Sequence, residues 1–113
     1  APNIICTGPA GGAVSCVAPT YIDFTPAVNG LTFYAVGVND AGPQAQVVIF
    51  ESGVQTATVD VVGPMLPYGM IDLSAYSNVT RIELVDIVDA AGIGWDEFVL
   101  VPVPVELMSL SVE

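Results

Sequence analysis

The chain has 113 residues, of which 53% are hydrophobic, and its mean hydropathy is +0.71. Twelve acidic residues accompany a single cation, Arg81, with no Lys and no His, so the formal net charge is −11 at pH 7. Because no basic patch can form, nucleic acid and anionic lipid are excluded as partners. Without His, a Ser–His–Asp triad is impossible and the commonest general base is missing, so we predict that the chain is not an enzyme.

The length predicts one domain, which we place at residues 1–101, followed by an extended segment at residues 102–113. The apolar residues occur in short runs broken by Gly, Pro, Asn, Asp and Ser. No run approaches the ~18 residues of a transmembrane helix, so we predict no membrane span. The negative charge favours cations, above all Ca²⁺, or neutral glycans as partners.

The two cysteines, Cys6 and Cys16, flank a Gly-rich stretch between two short predicted strands, residues 3–6 and 14–17. Two thiols without His cannot form a structural zinc site. A disulfide that closes a small hairpin is favoured over free thiols, and it indicates an oxidising, extracytoplasmic location. The chain begins with Ala, which fits a secreted product whose signal peptide has been removed.

The first half of the chain has the β-branched and aromatic composition of strands. Asn39–Asp40 and the glycine and proline that follow predict a turn over residues 39–43. Ser52 and Gly53 predict a two-residue hairpin loop. The predicted strands here are residues 21–24, 31–38, 45–51 and 54–62.

The second half continues in the same way, with a predicted loop at residues 63–69 and no helical period over ten or more residues. Alternation over VTRIELVD places Ile82 and Leu84 in the core. The predicted strands here are residues 70–73, 79–86 and 95–101. Together these patterns predict an all-β antiparallel sandwich of about eight to ten short strands, of jelly-roll type.

The segment after residue 101 is extended and apolar. Pro102 and Pro104 lack N–H groups, so one edge of this segment cannot donate hydrogen bonds while the other still pairs. The apolar side chains change faces between Leu107 and Met108, which indicates either a bulge or a strand that enters another sheet. The predicted interface with another copy consists of Val103, Val105, Leu107, Met108, Leu110 and Val112.

Acidic side chains cluster in the sequence DIVDAAGIGWDEF. Ca²⁺ takes six to eight oxygen ligands from carboxylates and carbonyls, so this loop is a candidate calcium site. The alternative is that these are ordinary turn-forming and solvating acids, since the spacing is not that of an EF-hand loop. The candidate ligands are Asp86, Asp89, Asp96 and Asp40.

A glycan-binding surface would need exposed aromatic side chains, and the candidates are Trp95, Tyr68 and Tyr76, with Tyr21 and Tyr34 in reserve. The alternative, that Trp95 packs in the core or at its rim, is favoured by the general burial of aromatic residues. Arg81 alternates outward beside Glu83, either as a surface residue near its own acids or as an anchor to a neighbour.

The strand at residues 94–98, GWDEF, follows an acidic, Gly-containing loop. With this motif, the last third of the chain resembles exported bacterial β-sandwich domains of PEP-CTERM-type secreted proteins. Those domains often carry a second Asp where this chain has Glu97. The resemblance implies an exported jelly-roll-like fold and implies no activity.

Two functions from different classes remain open. The first is a secreted structural subunit whose segment 102–113, or alternatively its N-terminal segment, completes the sheet of the next copy, giving an extracellular filament or surface layer. The second is a calcium-stabilised carbohydrate-binding module of an exported protein. A third and weaker hypothesis is a domain that belongs to a larger exported enzyme, with residues 101–105 as a stiff linker. The tail could also be an ordinary terminal strand of its own sheet.

Overall fold

The computed structural model describes residues 18–89 and 92–104, and this part of the chain is all-β without a helix. It therefore holds no helix long and apolar enough to cross a membrane. The four strands are β1 (Thr20–Glu51), β2 (Val54–Leu73), β3 (Val79–Val85) and β4 (Gly94–Pro102). All pairings are antiparallel, which confirms the predicted fold class.

The long strand β1 organises the sheet because β2, β3 and β4 all pair with it. β3 lies between two parts of β1, so that Ile82 pairs with both Ile22 and Ile49. The middle of β1 lies between β2 and β4, where Ala35 pairs with Gly69 on one side and Trp95 on the other. One strand thus contributes to two sections of the sheet.

A single hydrophobic core joins the two sections. Ile82 and Leu84 are fully buried, as their alternation along the strand predicts. Phe33 packs edge-to-face on Trp95, with ring centroids 5.9 Å apart, and stacks on Phe98 at 4.8 Å. The core draws on β1, β2, β3, β4 and the segment before β4. The two-layer packing of a jelly-roll sandwich stays a prediction.

The hairpin between β1 and β2 has the predicted two-residue loop. Ser52 and Gly53 have φ of 50° and 82°, the positive values that a type I′ turn requires at both central positions. The Ser52 amide donates to the Asn78 carbonyl oxygen (2.8 Å) and the Gly53 amide donates to Thr80 Oγ1 (3.0 Å). These bonds hold the hairpin tip against the segment that precedes β3.

The predicted turn at residues 39–43 and the predicted loop at residues 63–69 are wrong, because both segments belong to strands and pair with each other. Val38 pairs with Met65 and Gly42 with Gly63, so β1 carries two more residues than β2 over this stretch and bulges. A bulge absorbs the extra residues without breaking the ladder.

For the same reason, the described residues form four strands, two of them long, where eight to ten short strands were expected. The predicted strands at residues 3–6 and 14–17, and the disulfide between Cys6 and Cys16, lie outside those residues.

Candidate functional site

One face of the sheet exposes a row of large apolar side chains on β2 and β4, on either side of Thr32 and Tyr34 of β1. We call this set the apolar face. Alternate residues of a strand share a face, which explains the two-residue spacing within each strand. Its members and exposed fractions are Leu66 (61%), Tyr68 (57%), Met70 (53%), Val99 (60%) and Val101 (61%).

A groove of about 150 Å³ lies in this face, between Met70 of β2 and Val99 of β4. Tyr34 lines it, and the ring of Tyr34 meets that of Tyr68 edge-to-face at 5.1 Å between centroids. Glu97 lies at the groove in a bulge of β4 with φ of 50°. The groove therefore combines an aromatic pair with a carboxylate and the hydroxyl of Thr32.

The end of β4 pairs within its own chain. The Val103 amide donates to the Ala27 carbonyl oxygen at 2.8 Å. Because residues two apart present N–H to the same edge and adjacent residues to opposite edges, the nitrogens of Pro102 and Pro104 face away from β1. The outward edge of β4 therefore lacks two donors, which is a device that limits strand addition. The predicted division into one donating and one non-donating edge fits this arrangement.

The outward edge of β2 has a different character over residues 54–62. Among the described residues β2 pairs with β1 alone, so it forms an edge of the sheet. Residues 54–62, VQTATVDVV, contain no Pro or Gly and one charged residue, Asp60. This edge therefore has a nine-residue run without Pro, Gly or Lys, and one bulge, at Thr56, is its guard against strand addition.

Of the predicted interface residues, only Val103 lies in the described part, half-buried and bonded to its own chain as above. Val105, Leu107, Met108, Leu110 and Val112 lie outside the described residues. Any exchange through the C-terminal segment would therefore use residues beyond Pro104.

The predicted calcium ligands are brought together only in part. Asp89 is buried, with 1% exposed, and its Oδ2 accepts from the amides of Asn39 (2.7 Å) and Asp40 (3.4 Å). Asp40, another predicted ligand, therefore contacts Asp89 through its backbone amide.

The other two candidate ligands differ in exposure. Asp96 is also buried, and its Oδ1 accepts from the Glu97 amide at 2.8 Å, whereas Asp86 is exposed. Within residues 18–89 and 92–104, no three or more acidic or Cys side chains are grouped closely enough to hold a metal ion. The calcium site stays a prediction.

The three predicted glycan-binding residues differ in their exposure to solvent. Trp95 is 1% exposed and packs in the core, as its alternative interpretation held, so it offers no stacking surface. Tyr68 belongs to the apolar face, and Tyr76 is half-buried against the core. Any sugar-stacking role would fall to Tyr68 with Tyr34, a residue that the sequence placed only in reserve.

Arg81 lies among its own acids, as the simpler prediction held. It forms ion pairs with Asp23 (3.0 Å) and Glu83 (2.9 Å), and its guanidinium lies over the Tyr21 ring, 5.0 Å from the centroid. Hydrogen bonds to Glu83 and Asp23 raise the pKa of Arg81 above its ordinary value. The partners of Arg81 in these contacts are all residues of its own chain.

The β2 edge was missed by sequence reasoning. The run VQTATVDVV was recognised as a strand, but which strands flank it depends on the sheet order. The absence of Pro, Gly and Lys from the run was the available signal. It becomes informative only once the strand is known to be at an edge.

No known protein family, curated protein or solved structure matches this chain. The resemblance of residues 94–98 to exported bacterial domains therefore rests on the motif alone and stays a prediction.

Proposed function

We propose that this chain is a secreted structural subunit that self-assembles into an extracellular filament or surface layer by strand addition between copies. The apolar face carries the proposal. Soluble monomers rarely expose contiguous apolar patches of more than a few hundred Å², and such patches commonly mark contacts with another molecule. Here five large apolar side chains, each more than half exposed, lie on β2 and β4, and two of them, Met70 and Val99, line one groove.

The size of the apolar face favours strand addition over a simple face-to-face dimer. Five half-exposed side chains leave on the order of 500 Å² of apolar surface in water. A stable protein–protein interface takes roughly 800 Å² from each partner. The apolar face alone is therefore too small for a stable interface, and a second contact is needed. Backbone pairing at a sheet edge can provide that contact.

The segment after Pro104 supplies the second element. Residues 105–113, VELMSLSVE, carry five apolar side chains among nine residues. Because Val103 is bonded to Ala27 of the same chain, this segment starts from a fixed point at the end of β4. It is a suitable donor strand for a neighbouring copy, and a head-to-tail contact of this kind generates open filaments.

The test is assembly of the full chain, measured by sedimentation velocity and electron microscopy over a range of protein concentrations. We expect filaments or sheets from the unmodified chain and monomers from Leu110→Lys, which puts a charge in the donor segment. Thr25→Lys is the control, since Thr25 is exposed and lies outside the apolar face. A chain that stays monomeric at all concentrations contradicts the proposal.

The second candidate, a calcium-stabilised carbohydrate-binding module, is favoured by one observation. The Tyr34–Tyr68 pair lies beside a groove that also presents Glu97 and Thr32. Aromatic faces stack on sugar rings, and the carboxylate and hydroxyl accept or donate hydrogen bonds to sugar hydroxyls. Retention on insoluble neutral polysaccharide that is lost in Tyr68→Ala and by chelation of Ca²⁺ would support this function.

A further inference from the structure

We infer that the outward edge of β2 over residues 54–62 is the acceptor for strand addition, and that its occupant is the segment 105–113 of a second copy of this chain. The inference rests on the proposed function and names the site at which the copies join. Strand addition requires an edge with free backbone groups and no residue that prevents pairing.

The other edges of the described sheet are poorer acceptors. The outward edge of β4 has Pro102 and Pro104, which cannot donate. The N-terminal part of β1 pairs with β3 over residues 20–23 and again at Val28, with Pro26 between them. In the second part of β2, Pro64 and Pro67 interrupt the edge, and the regular stretch at residues 68–73 contains Gly69. Residues 54–62 are the longest of these edges without Pro or Gly.

The part of the edge that is in regular register is long enough for an added strand. Residues 57–61 pair with β1 without a break, from Ala57 opposite Ile49 to Val61 opposite Ala45, whereas Thr56 is an extra residue at a bulge. Five residues at ~3.3 Å each span about 16 Å. A donor strand can pair along this stretch.

The exposed side chains of the edge suit an added strand. Thr56, Thr58 and Asp60 are exposed and alternate with Ala57, Val59 and Val61, which are half-buried or buried. An added strand that carries Met108, Leu110 and Val112 on one face would extend this inward apolar row. In this arrangement the donor buries its own apolar side chains as its backbone pairs.

Two single variants of the full chain test the inference. Thr58→Lys places a charge on the acceptor edge at an exposed position, and Leu110→Lys places one in the donor. Each variant alone should stay monomeric, with the concentration needed for assembly raised at least about ten-fold. Thr25→Lys is the matched control, because it makes the same change at an exposed position on the N-terminal part of β1, on the far side of β3 from β2, and it should assemble like the unmodified chain. Thermal unfolding of each variant checks that it is folded.

Mixing the two variants gives the decisive result. The Thr58→Lys copy keeps an intact donor and the Leu110→Lys copy keeps an intact edge, so the mixture should form one-to-one dimers and no filaments. Amide hydrogen exchange should show protection of residues 54–62 only in the Leu110→Lys partner.

Several outcomes overturn the inference while leaving the proposed function standing. They are assembly of Thr58→Lys at the concentration of the unmodified chain, absence of dimers from the mixture, or protection of residues 54–62 by a peptide of residues 1–17 instead. Concentration-independent protection of this edge in monomers overturns it too, because the donor then belongs to the same molecule. If the unmodified chain never assembles, the proposed function itself fails.

Discussion

The amide of Val103 donates to the carbonyl oxygen of Ala27 at 2.8 Å, which holds the residue after β4 against β1. The bond turns the prolines on either side of Val103 outward, so that the end of β4 pairs inside its own chain and resists pairing on its other edge. The same strand end thus limits strand addition at β4.

Truncation distinguishes the folded strand from the donor segment. Removing residues 105–113 should abolish assembly and leave the free energy of unfolding of the described sheet unchanged. Removing residues 102–113 also deletes the Val103–Ala27 bond and should lower the free energy of unfolding by about 1 kcal/mol. Urea unfolding measures both. Equal stabilities of the two truncated chains would contradict a role for this bond.

Acid should lower the stability of the β1–β2 hairpin by protonating the carboxylate of Glu51. The hydroxyl of Thr56 (2.6 Å) and the amide of Ser77 (2.8 Å) donate to its carboxylate and lower the pKa of Glu51 below its ordinary value of 4.5. A folded-state pKa below the unfolded value means that the stabilisation is full above the unfolded pKa and is lost as the pH falls through the folded pKa.

Glu51→Gln should therefore reduce the fall in melting temperature between about pH 5 and pH 2. Asp86→Asn is the matched control, because it removes one exposed negative charge and lies away from the hairpin tip. An unchanged acid dependence in Glu51→Gln would show that these hydrogen bonds do not stabilise the fold.

Gly63 is required by a close approach between backbones. A Cβ at this position would lie 2.2 Å from the Asp40 carbonyl oxygen, and backbone there cannot move without disturbing the ladder. At Gly69 a Cβ would instead meet mainly the side chain of Met65, 2.6 Å from its sulfur, which can rotate away. Gly63→Ala should cost roughly 1–3 kcal/mol and Gly69→Ala less. Urea unfolding of both variants tests the order, and the reverse order would contradict it.

Trp95 should matter for stability and Tyr68 for surface contacts. Trp95→Ala removes a fully buried side chain and should cost about 3–5 kcal/mol. Tyr68→Ala removes an exposed ring and should change the free energy of unfolding by less than ~1 kcal/mol. Chemical denaturation compares the two. Polysaccharide binding that survives Tyr68→Ala but not a folded, conservative Trp95→Phe variant would count against this division of roles.

Salt should promote assembly. Copies that each carry a formal net charge of −11 repel one another, and the Debye length falls from ~10 Å at 0.1 M to ~3 Å at 1 M ionic strength. We expect the concentration needed for assembly to decrease as NaCl is raised. Light scattering with matched NaCl and CaCl₂ series measures this, and a larger effect of Ca²⁺ at equal ionic strength would indicate specific binding. Assembly that weakens with salt would contradict the electrostatic argument.

Sequence patterns alone predict the all-β class, the Ser52–Gly53 hairpin and the burial of Ile82 and Leu84, because these depend on local backbone preferences and on a side-chain period of two. They also predict the two different edges of the proline-containing strand, since proline has no backbone N–H. These features need no knowledge of distant residues.

Contacts between distant parts of the chain establish which strands lie at an edge, that residues 38–42 and 63–65 pair across a bulge, and that residues 39–40 meet Asp89. Turn-forming residues favour a reversal locally, but here pairing between segments some 20 residues apart satisfies the same backbone groups in an extended form. The nine-residue edge of β2 is therefore visible only after long-range pairing has placed β1 on one side of it, because an edge is defined by which neighbours a strand has and not by its own residues.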